Sequence, residues 1–309
     1  MGIGDDAAVV KSERAGLQVL TTDALVEGVH FDRKFSSLAD VGYKAIAVNA
    51  SDVAAMGGAS RVALVSLMLP PSTTVADVDA VLDGIVEMCR EGRISVVGGN
   101  ITASPGPLIV DVTIAGDVRP RKVLTRGGGR AGDVLYVTGT IGGGVAGLDW
   151  LRQVGTGPES LPEDAGLAAC VRRYRRPTAR LRVGALLGRN RAASACMDLS
   201  DGLADGVAQI ARASGTGATV EAAALPIDEG ARQWFASKGI DVTTASLSGG
   251  DDYELLFAVS RRHRGRLRAC ESSSRGVTIT AIGELTPETE TVLLRDGKRE
   301  PLPGGFSHF

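Results

Sequence analysis

The sequence of this 309-residue chain has no long apolar run, few histidines and no paired cysteines, and each absence excludes a class of protein. No apolar stretch approaches the roughly 20 residues that cross a bilayer, and no signal peptide is apparent, so we expect a cytoplasmic protein without membrane contacts. The four cysteines form no CxxC pair, and three histidines do not favour a zinc site. A net charge of −2 indicates no nucleic-acid partner.

Motifs for covalent catalysis and for common nucleotide folds are also missing. The sequence contains neither GxxxxGK[ST] nor a GxSxG elbow. The glycine-rich stretch at 139–144 lacks the GxGxxG spacing, so we interpret it as a structural turn. Ser200 has no histidine beside it in the sequence. We therefore expect no covalent nucleophile.

The hydrophobic pattern predicts a two-domain α/β (α+β) protein. The first half has the element order β-β-α-β-α-β-β, and a polar stretch containing Pro120 follows it. We therefore predict an N-terminal domain at 1–120 and a C-terminal domain at 121–309. The pattern also predicts helices at Leu38–Met56 and Val75–Arg90, short strands at Val29–Phe31 and Ile94–Val97, and a terminal hairpin at Val292–Arg299.

Acidic residues recur in glycine-containing turns throughout the chain. If they converge, like charges roughly 4 Å apart cost on the order of 4 kcal/mol per pair, unless protonation or a metal neutralises them. Oxygen ligands favour Mg²⁺ or Ca²⁺ over zinc, and Mg²⁺ is commonly shared with substrate phosphates. The alternative is that each aspartate only caps a helix or closes a turn. The candidates are Asp5, Asp6, Asp23, Asp52, Asp198 and Asp201.

Taken together, these turns resemble the thiamine-monophosphate kinase family of the PurM-like superfamily, over essentially the whole chain and in the family's order. The matching motifs are Gly2-Ile3-Gly4-Asp5-Asp6, Thr21-Thr22-Asp23, Glu27-Gly28-Val29-His30-Phe31, Asn49-Ala50-Ser51-Asp52, Leu124-Thr125-Arg126, Asp198-Leu199-Ser200-Asp201-Gly202, Ser248-Gly249-Gly250-Asp251-Asp252-Tyr253-Glu254 and the tail Gly305-Phe306-Ser307-His308-Phe309.

The resemblance implies a PurM-like two-domain fold whose N-terminal sheets pair in a homodimer. It implies ATP-dependent transfer of the γ-phosphoryl group onto thiamine monophosphate, giving thiamine diphosphate, with several Mg²⁺ ions as cofactors. Such a transfer requires positioning and charge neutralisation rather than a protein nucleophile.

The resemblance also assigns roles to residues. Metal ligands would be Asp6, Thr21, Thr22, Asp23, Asp52, Asn100, Asp198 and Asp201. Contacts to ATP would come from Gly99, Asn100, Arg126 and Ser200. Thiamine monophosphate would be contacted by His30, Asp251 and the tail aromatic Phe306.

Three features depart from the family pattern. Asn100 stands where many members carry aspartate, so one negative charge is lost. Asp251 stands where glutamate is common, which shortens the reach of that carboxylate. Members also carry a helical segment before the first glycine turn, and this sequence starts inside that turn, so we expect a truncated start or an altered substrate closure.

Two other functions are compatible with the motifs: an ATP-using superfamily member with a different acceptor, or a non-catalytic nucleotide-binding paralogue. The arginine-rich run 172–176 could bind phosphate or RNA, but we interpret it as a solvated helix face.

Overall fold

The computed structural model describes residues 4–11, 16–154 and 157–305. The strands are β1 (Ala8–Lys11), β2 (Leu17–Val26), β3 (Ala59–Leu69), β4 (Ser95–Ala103), β5 (Ile109–Val118), β6 (Val134–Thr138), β7 (Ala195–Asp198), β8 (Gly217–Glu221), β9 (Leu255–Val259), β10 (Ile279–Thr286), β11 (Thr291–Arg295) and β12 (Lys298–Pro301). The α-helices are α1 (Leu38–Ala55), α2 (Val75–Gly92), α3 (Gly143–Val154), α4 (Ala165–Arg175), α5 (Leu181–Asn190), α6 (Leu203–Ser214), α7 (Glu229–Ser237), α8 (Val242–Ser248) and α9 (Arg264–Glu271).

The first sheet has the strand order β1-β2-β5-β3-β4, with only β3 and β4 pairing in parallel. Its central strand β5 alternates between buried and partly exposed residues, as expected for a sheet with one covered face. Val110, Val112 and Ile114 point into the core formed with α1 and α2. The opposite face carries the exposed side chains of Leu64 on β3 and Thr22 on β2, both of which are aligned with Thr113 of β5. One face of this sheet therefore has no cover within the described part of the chain.

Helix α1 packs closely against α2 in the first half of the chain, because a glycine on each helix permits the approach. The Ser37 side chain caps α1 by accepting from the Asp40 amide at 3.1 Å. A Cβ at Gly42 would lie 2.0 Å from the Val81 carbonyl oxygen. A Cβ at Gly84 would lie 1.8 Å from a carbonyl oxygen of α1. This contact fixes the position of α1, which carries Asp52 near its C-terminal end.

The second sheet has the order β12-β11-β8-β10-β6-β9-β7, with only β8 and β11 parallel. Strand β9 is buried along its whole length, which matches its continuous apolar sequence. Edge strand β7 is also buried and ends at Asp198. The two sheets and their helices confirm the predicted two-domain α/β fold, whereas the division at residue 120 stays a prediction.

The two halves of the chain meet along α1 and α5. A Cβ at Gly184 would lie 2.0 Å from the Ala54 carbonyl oxygen, so only glycine permits this approach. Ala55 also packs in the same cluster as Leu186 and Leu187. Because α1 packs against both halves, its C-terminal end faces the end of β7.

The structure corrects two of the predicted strands. The predicted strand Val29–Phe31 is not formed: residues 28–30 make a turn, in which Gly28 has a φ of 85°, and a single bridge joins Glu27 to Phe31. The strand predicted at Ile94–Val97 is longer, because β4 continues through the glycines to Ala103. The helices begin at the predicted Leu38 and Val75, and the terminal hairpin is present.

The arginine-rich run is not a solvated face, and that interpretation was wrong. Arg175 is buried, and its guanidinium donates to the carbonyls of Phe35 at 2.8 Å and Ser160 at 3.1 Å. Arg176 binds the carboxylates of Asp40 and Glu87. Carboxylates and carbonyls from other elements therefore engage these arginines. No helix within the described ranges has the length and apolarity to cross a membrane.

Candidate functional site

A cavity of 490 Å³ lies between the two halves of the chain, and both halves line it. Most of the predicted site residues border it. They are Asp6, Thr21, Thr22, Asp23, His30, Asp52, Arg126, Asp198, Ser200, Asp201 and Asp251.

Three aspartates from distant parts of the chain meet at one end of this cavity. Asp6 precedes β1, Asp52 lies in the last turn of α1, and Asp198 ends β7. Each offers a carboxylate oxygen, and these oxygens lie within 4.8 Å of one another. We call these three residues the aspartate cluster. The distance suits carboxylates that share one divalent cation.

Burial and mutual repulsion raise the pKa values in the aspartate cluster. Burial, followed by the charge of Asp6, raises the pKa of Asp198 to about 8. Burial and the charge of Asp198 raise the pKa of Asp52 well above its usual value. Burial also raises the pKa of Asp6, although the Arg126 guanidinium opposes this effect. Without a bound cation, the cluster therefore holds protons at a pH where isolated aspartates are ionised.

In the described parts of the chain, the cluster has few hydrogen-bond partners. Ser51 donates its hydroxyl hydrogen to Asp198 at 2.6 Å, and the Thr21 hydroxyl donates to Asp52. Arg126 donates to Oδ1 of Asp6 at 2.8 Å. The other oxygen of Asp6, Oδ2, is buried without a hydrogen-bond partner in the described structure. An orphaned carboxylate oxygen within an all-oxygen donor set fits Mg²⁺.

Asp5 has a different role from Asp6. Its carboxylate accepts from the backbone amide of Arg126 at 2.5 Å and so ties the first glycine turn to the segment that carries Arg126. The Arg126 guanidinium then pairs with Asp6 and Gln209. Asp6 rather than Asp5 therefore belongs to the cluster, and its role as a metal ligand stays a prediction.

The neighbouring polar residues divide between the two faces of β2. Burial, then the charge of Asp111, then the charge of Asp201 raise the pKa of Asp23. Thr22 borders the cavity, but its hydroxyl hydrogen-bonds to Asp111 and Thr113 of β5. Its side chain is therefore engaged on the uncovered face of the sheet.

The opposite end of the cavity combines aromatic, cationic and acidic groups. The Lys44 ammonium lies 2.7 Å from Oδ1 of Asp251 and 4.1 Å from the centre of the Tyr174 ring. His30 accepts the Val26 amide at Nδ1, 3.0 Å away, so a neutral His30 carries its proton on Nε2. This end can bind an aromatic ring with hydrogen-bonding groups.

Two predicted contacts to ATP do not border the cavity. Gly99 and Asn100 lie on the exposed edge strand β4. Position 99 also requires a glycine for structural reasons, because a Cβ there would lie 1.8 Å from the Val65 carbonyl oxygen. Phe306, the predicted tail contact, lies outside the described residues.

A second acidic group, Asp252 and Glu254, is buried nearby; we call it the Asp252–Glu254 pair. Glu254 accepts from Arg180 through both carboxylate oxygens and from Thr138 at 2.6 Å. Asp252 accepts from the backbone amides of Gly142 at 2.7 Å and Gly144 at 3.0 Å. The glycine-rich turn thus binds an internal carboxylate, which supports its interpretation as a structural turn.

Sequence reasoning assigned no role to several residues that border the cavity, among them Lys44, Arg152 and Tyr174. A signal for Lys44 was present, because Lys44, Val48 and Asp52 follow the i, i+4, i+8 spacing of one helix face. The sequence around Tyr174 gives no comparable signal, because an arginine-rich stretch can occur on a buried helix face as well as on a solvated one.

Comparisons with known proteins agree with this architecture. Family models described as AIR synthase related protein, N-terminal domain and C-terminal domain, match residues 4–118 and 130–295. This match defines the class, a two-domain protein of the AIR synthase related type.

The similar proteins are named as kinases. Thiamine-monophosphate kinase of Bacillus subtilis (strain 168) is 32% identical, with 100% of this chain and 93% of the relative covered. The Escherichia coli (strain K12) enzyme of the same name is 35% identical, with 100% and 92% covered. The solved structure of AaThiL complexed with AMPPCP and TMP has a TM-score of 0.87 at 33% identity, with 99% of this chain and 92% of that chain covered. The chain belongs to the AIR synthase related family and, within it, to the thiamine-monophosphate kinases.

Proposed function

We propose that the chain transfers the γ-phosphoryl group of ATP onto the phosphate of thiamine monophosphate, producing thiamine diphosphate and ADP. The observation that carries this proposal is one cavity with two chemically distinct ends. The aspartate cluster lies at one end, and His30, Asp251 and Tyr174 line the other. The neighbour AaThiL was solved with AMPPCP and TMP together, which supports both ligands.

Mg²⁺ would be held by Asp6, Asp52 and Asp198, with Asp23 and Asp201 beside them. When bound, it would supply charge neutralisation for the phosphates in addition to the charge of Arg126, whose guanidinium pairs with Asp6. Arg126, which pairs with Asp6, and Ser200, which borders the cavity, would contact the nucleotide.

The protein's own contribution to the reaction is positioning. Two phosphorylated reactants repel each other, so the reaction needs both held in line while water is excluded. Val48 and Leu148 contribute apolar groups to the wall of the cavity. Asp251 and His30 orient the acceptor from the far end. No side chain needs to form a covalent bond with the phosphoryl group.

We also propose a homodimer formed through the uncovered face and edge of the first sheet. Val97 and Ile101 on β4 are 59% and 63% exposed, which is unusual for branched apolar residues in a strand. Pairing through this surface would place Gly99 and Asn100 at the subunit interface, where they could reach the other subunit's nucleotide. The double variant Val97→Glu/Ile101→Glu should be monomeric in analytical ultracentrifugation, and a stable dimer would contradict this arrangement.

The activity is tested by incubating the chain with ATP, MgCl₂ and thiamine monophosphate and quantifying thiamine diphosphate and ADP chromatographically. We expect equimolar products, none with EDTA, and none when unphosphorylated thiamine replaces the acceptor. Asp198→Asn should lower the rate by more than roughly 100-fold, whereas the exposed control Asp79→Asn should not change it. ADP release without thiamine diphosphate would identify another acceptor.

A further inference from the structure

Lys44 is a charged residue in an unusual environment. Lys44 lies within α1, and its side chain is only 4% exposed although it ends in an ammonium group. Burial of an unpaired ammonium costs several kcal/mol, so a buried lysine needs compensation. Asp251 and the face of the Tyr174 ring provide it. All three residues border the cavity.

The loop that carries Asp251 is held in a conformation that L-residues rarely adopt. Asp251 has a φ of 65° and Tyr253 a φ of 50°. Their backbone amides donate to the carbonyls of Ser200 at 2.8 Å and Leu199 at 2.9 Å, which fix both residues in place. Strain of this kind persists where the surroundings over-determine it, and it is common at binding sites. The loop thus directs the Asp251 carboxylate towards Lys44.

Helix α1 sets the distance between the two ends of the cavity. Lys44, Val48 and Asp52 lie on one helix face, and all three border the cavity. A rise of 1.5 Å per residue separates the Cα atoms of Lys44 and Asp52 by about 12 Å. Asp52 belongs to the aspartate cluster, where the phosphates react under the proposed function. Lys44 therefore lies near the end of the acceptor that is remote from its phosphate.

We propose that Lys44 is a positioning residue for the acceptor: it holds the Asp251 carboxylate and the Tyr174 ring in the arrangement that receives the aromatic end of the acceptor. This inference rests on the proposed function and deepens it. Lys44 occupies Oδ1 of Asp251, and the Asp251 side chain remains 26% exposed towards ligands. The carboxylate thus acts as an oriented hydrogen-bond acceptor, suited to a flat nitrogen heterocycle bearing an amino group. The about 12 Å spacing along α1 would select acceptors whose phosphate lies one molecule's length from such a ring.

The rival role for a cavity lysine is direct contact with the acceptor's phosphate. The two roles differ in which ligands they affect. A phosphate contact strengthens binding of thiamine monophosphate only, whereas a positioning role at the ring end also strengthens binding of unphosphorylated thiamine. Binding measurements with both ligands therefore separate them without any turnover.

The experiment is isothermal titration calorimetry with thiamine monophosphate, thiamine and a non-hydrolysable ATP analogue. Lys44→Met should lower the affinity for thiamine monophosphate and for thiamine about tenfold, and Asp251→Asn should do the same. Because the two residues act together, the affinity of the double variant for these ligands should fall about tenfold rather than hundredfold. Affinity for the ATP analogue should stay within about twofold. The matched control Lys34→Met alters an exposed lysine outside the cavity lining and should change nothing.

Lys44→Arg keeps the charge and should recover most of the affinity; it also serves if Lys44→Met does not fold. A loss confined to thiamine monophosphate, additive losses in the double variant, or an equal loss for the ATP analogue would overturn the inference. If the unaltered chain binds no thiamine monophosphate, both this inference and the proposed function fail. If the unaltered chain binds and phosphorylates it while Lys44→Met binds it equally well, only this inference fails.

Discussion

Two buried acidic groups lie close together in this protein, and they are neutralised in different ways. The Asp252–Glu254 pair is matched by Arg180, by the Thr138 hydroxyl and by two backbone amides. Among the residues that the structure describes, the aspartate cluster has three carboxylates and the guanidinium of Arg126, and the Oδ2 oxygen of Asp6 has no hydrogen-bond partner. The pair is complete within the chain and serves the fold. The cluster is incomplete and is suited to a cationic ligand.

The same chemical change should therefore have opposite effects in the two groups. Glu254→Gln should reduce the free energy of unfolding by about 3–5 kcal/mol, because it leaves the largely buried Arg180 without its counter-charge. Urea denaturation measures this loss, with the exposed Glu221→Gln as the matched control. A loss no larger than that of the control would mean that the pair does not stabilise the fold.

The pH dependence of stability should separate the two groups when Mg²⁺ is added. Burial raises the pKa of Asp252 to about 7 from an ordinary aspartate value of 3.8, so the folded state binds the proton more tightly than the unfolded state. Its stabilising contribution is complete below pH 3.8 and decreases as pH rises towards 7, by on the order of 4 kcal/mol. The contribution of Asp198 to stability changes with pH in the same direction, and it is lost as pH rises to about 8.

Saturating Mg²⁺ should offset the loss of stability at high pH that comes from the aspartate cluster. It should leave the loss that comes from Asp252 unchanged. Thermal melts from pH 5 to pH 8, with MgCl₂ or with EDTA, measure both parts. The Mg²⁺-induced rise in melting temperature should grow with pH, since binding requires ionised carboxylates. A rise that is constant across this range would contradict proton-linked metal binding at the cluster.

Asp198→Asn should stabilise the metal-free protein at pH 8 by about 1–2 kcal/mol, although it abolishes most activity. It removes one of three mutually repelling carboxylates, and protonation already relieves part of that repulsion. Its amide oxygen can still accept from Ser51. Chemical denaturation in EDTA provides the measurement, with Asp79→Asn as the control, and destabilisation would show that the charge of Asp198 supports the fold.

Asn100→Asp should produce the smallest effect. Asn100 lies on the exposed strand β4 and does not border the cavity of its own chain. We expect the Mg²⁺ concentration for half-maximal activity to fall by less than about tenfold, since an added carboxylate contributes only if a second subunit brings it close. A Mg²⁺ titration of activity tests this, and a larger change would place position 100 directly at the metal.

Much of the site could be predicted because its chemistry lies in short local motifs. Asp6, Asp52 and Asp198 each occur in a recognisable turn or helix segment, and the resemblance gave them a common role. The helices of the first half were equally accessible, because caps and apolar periodicity are local signals. Strand β1 and helix α8 were missed, since elements of 4 and 7 residues depend on their partners more than on their own pattern.

Pairings between distant residues could not be predicted in this way. Nothing near Arg126 in the sequence indicates that its guanidinium pairs with Asp6, which lies 120 positions away. The same holds for Lys44 and Asp251, which belong to different halves of the chain. Such contacts depend on how α1 packs against both halves, and that packing follows from close approaches at glycines whose partners are remote.

The sequence by itself determined the kinds of chemical group available: many carboxylates, few histidines, and no nucleophile motif. It also determined the local elements that carry them. Tertiary structure alone decided which carboxylates are neutralised within the chain and which are left for a ligand. The physical reason is that the charge state of a buried carboxylate depends on its burial and on the groups a few ångströms away, and folding brings those groups from distant positions.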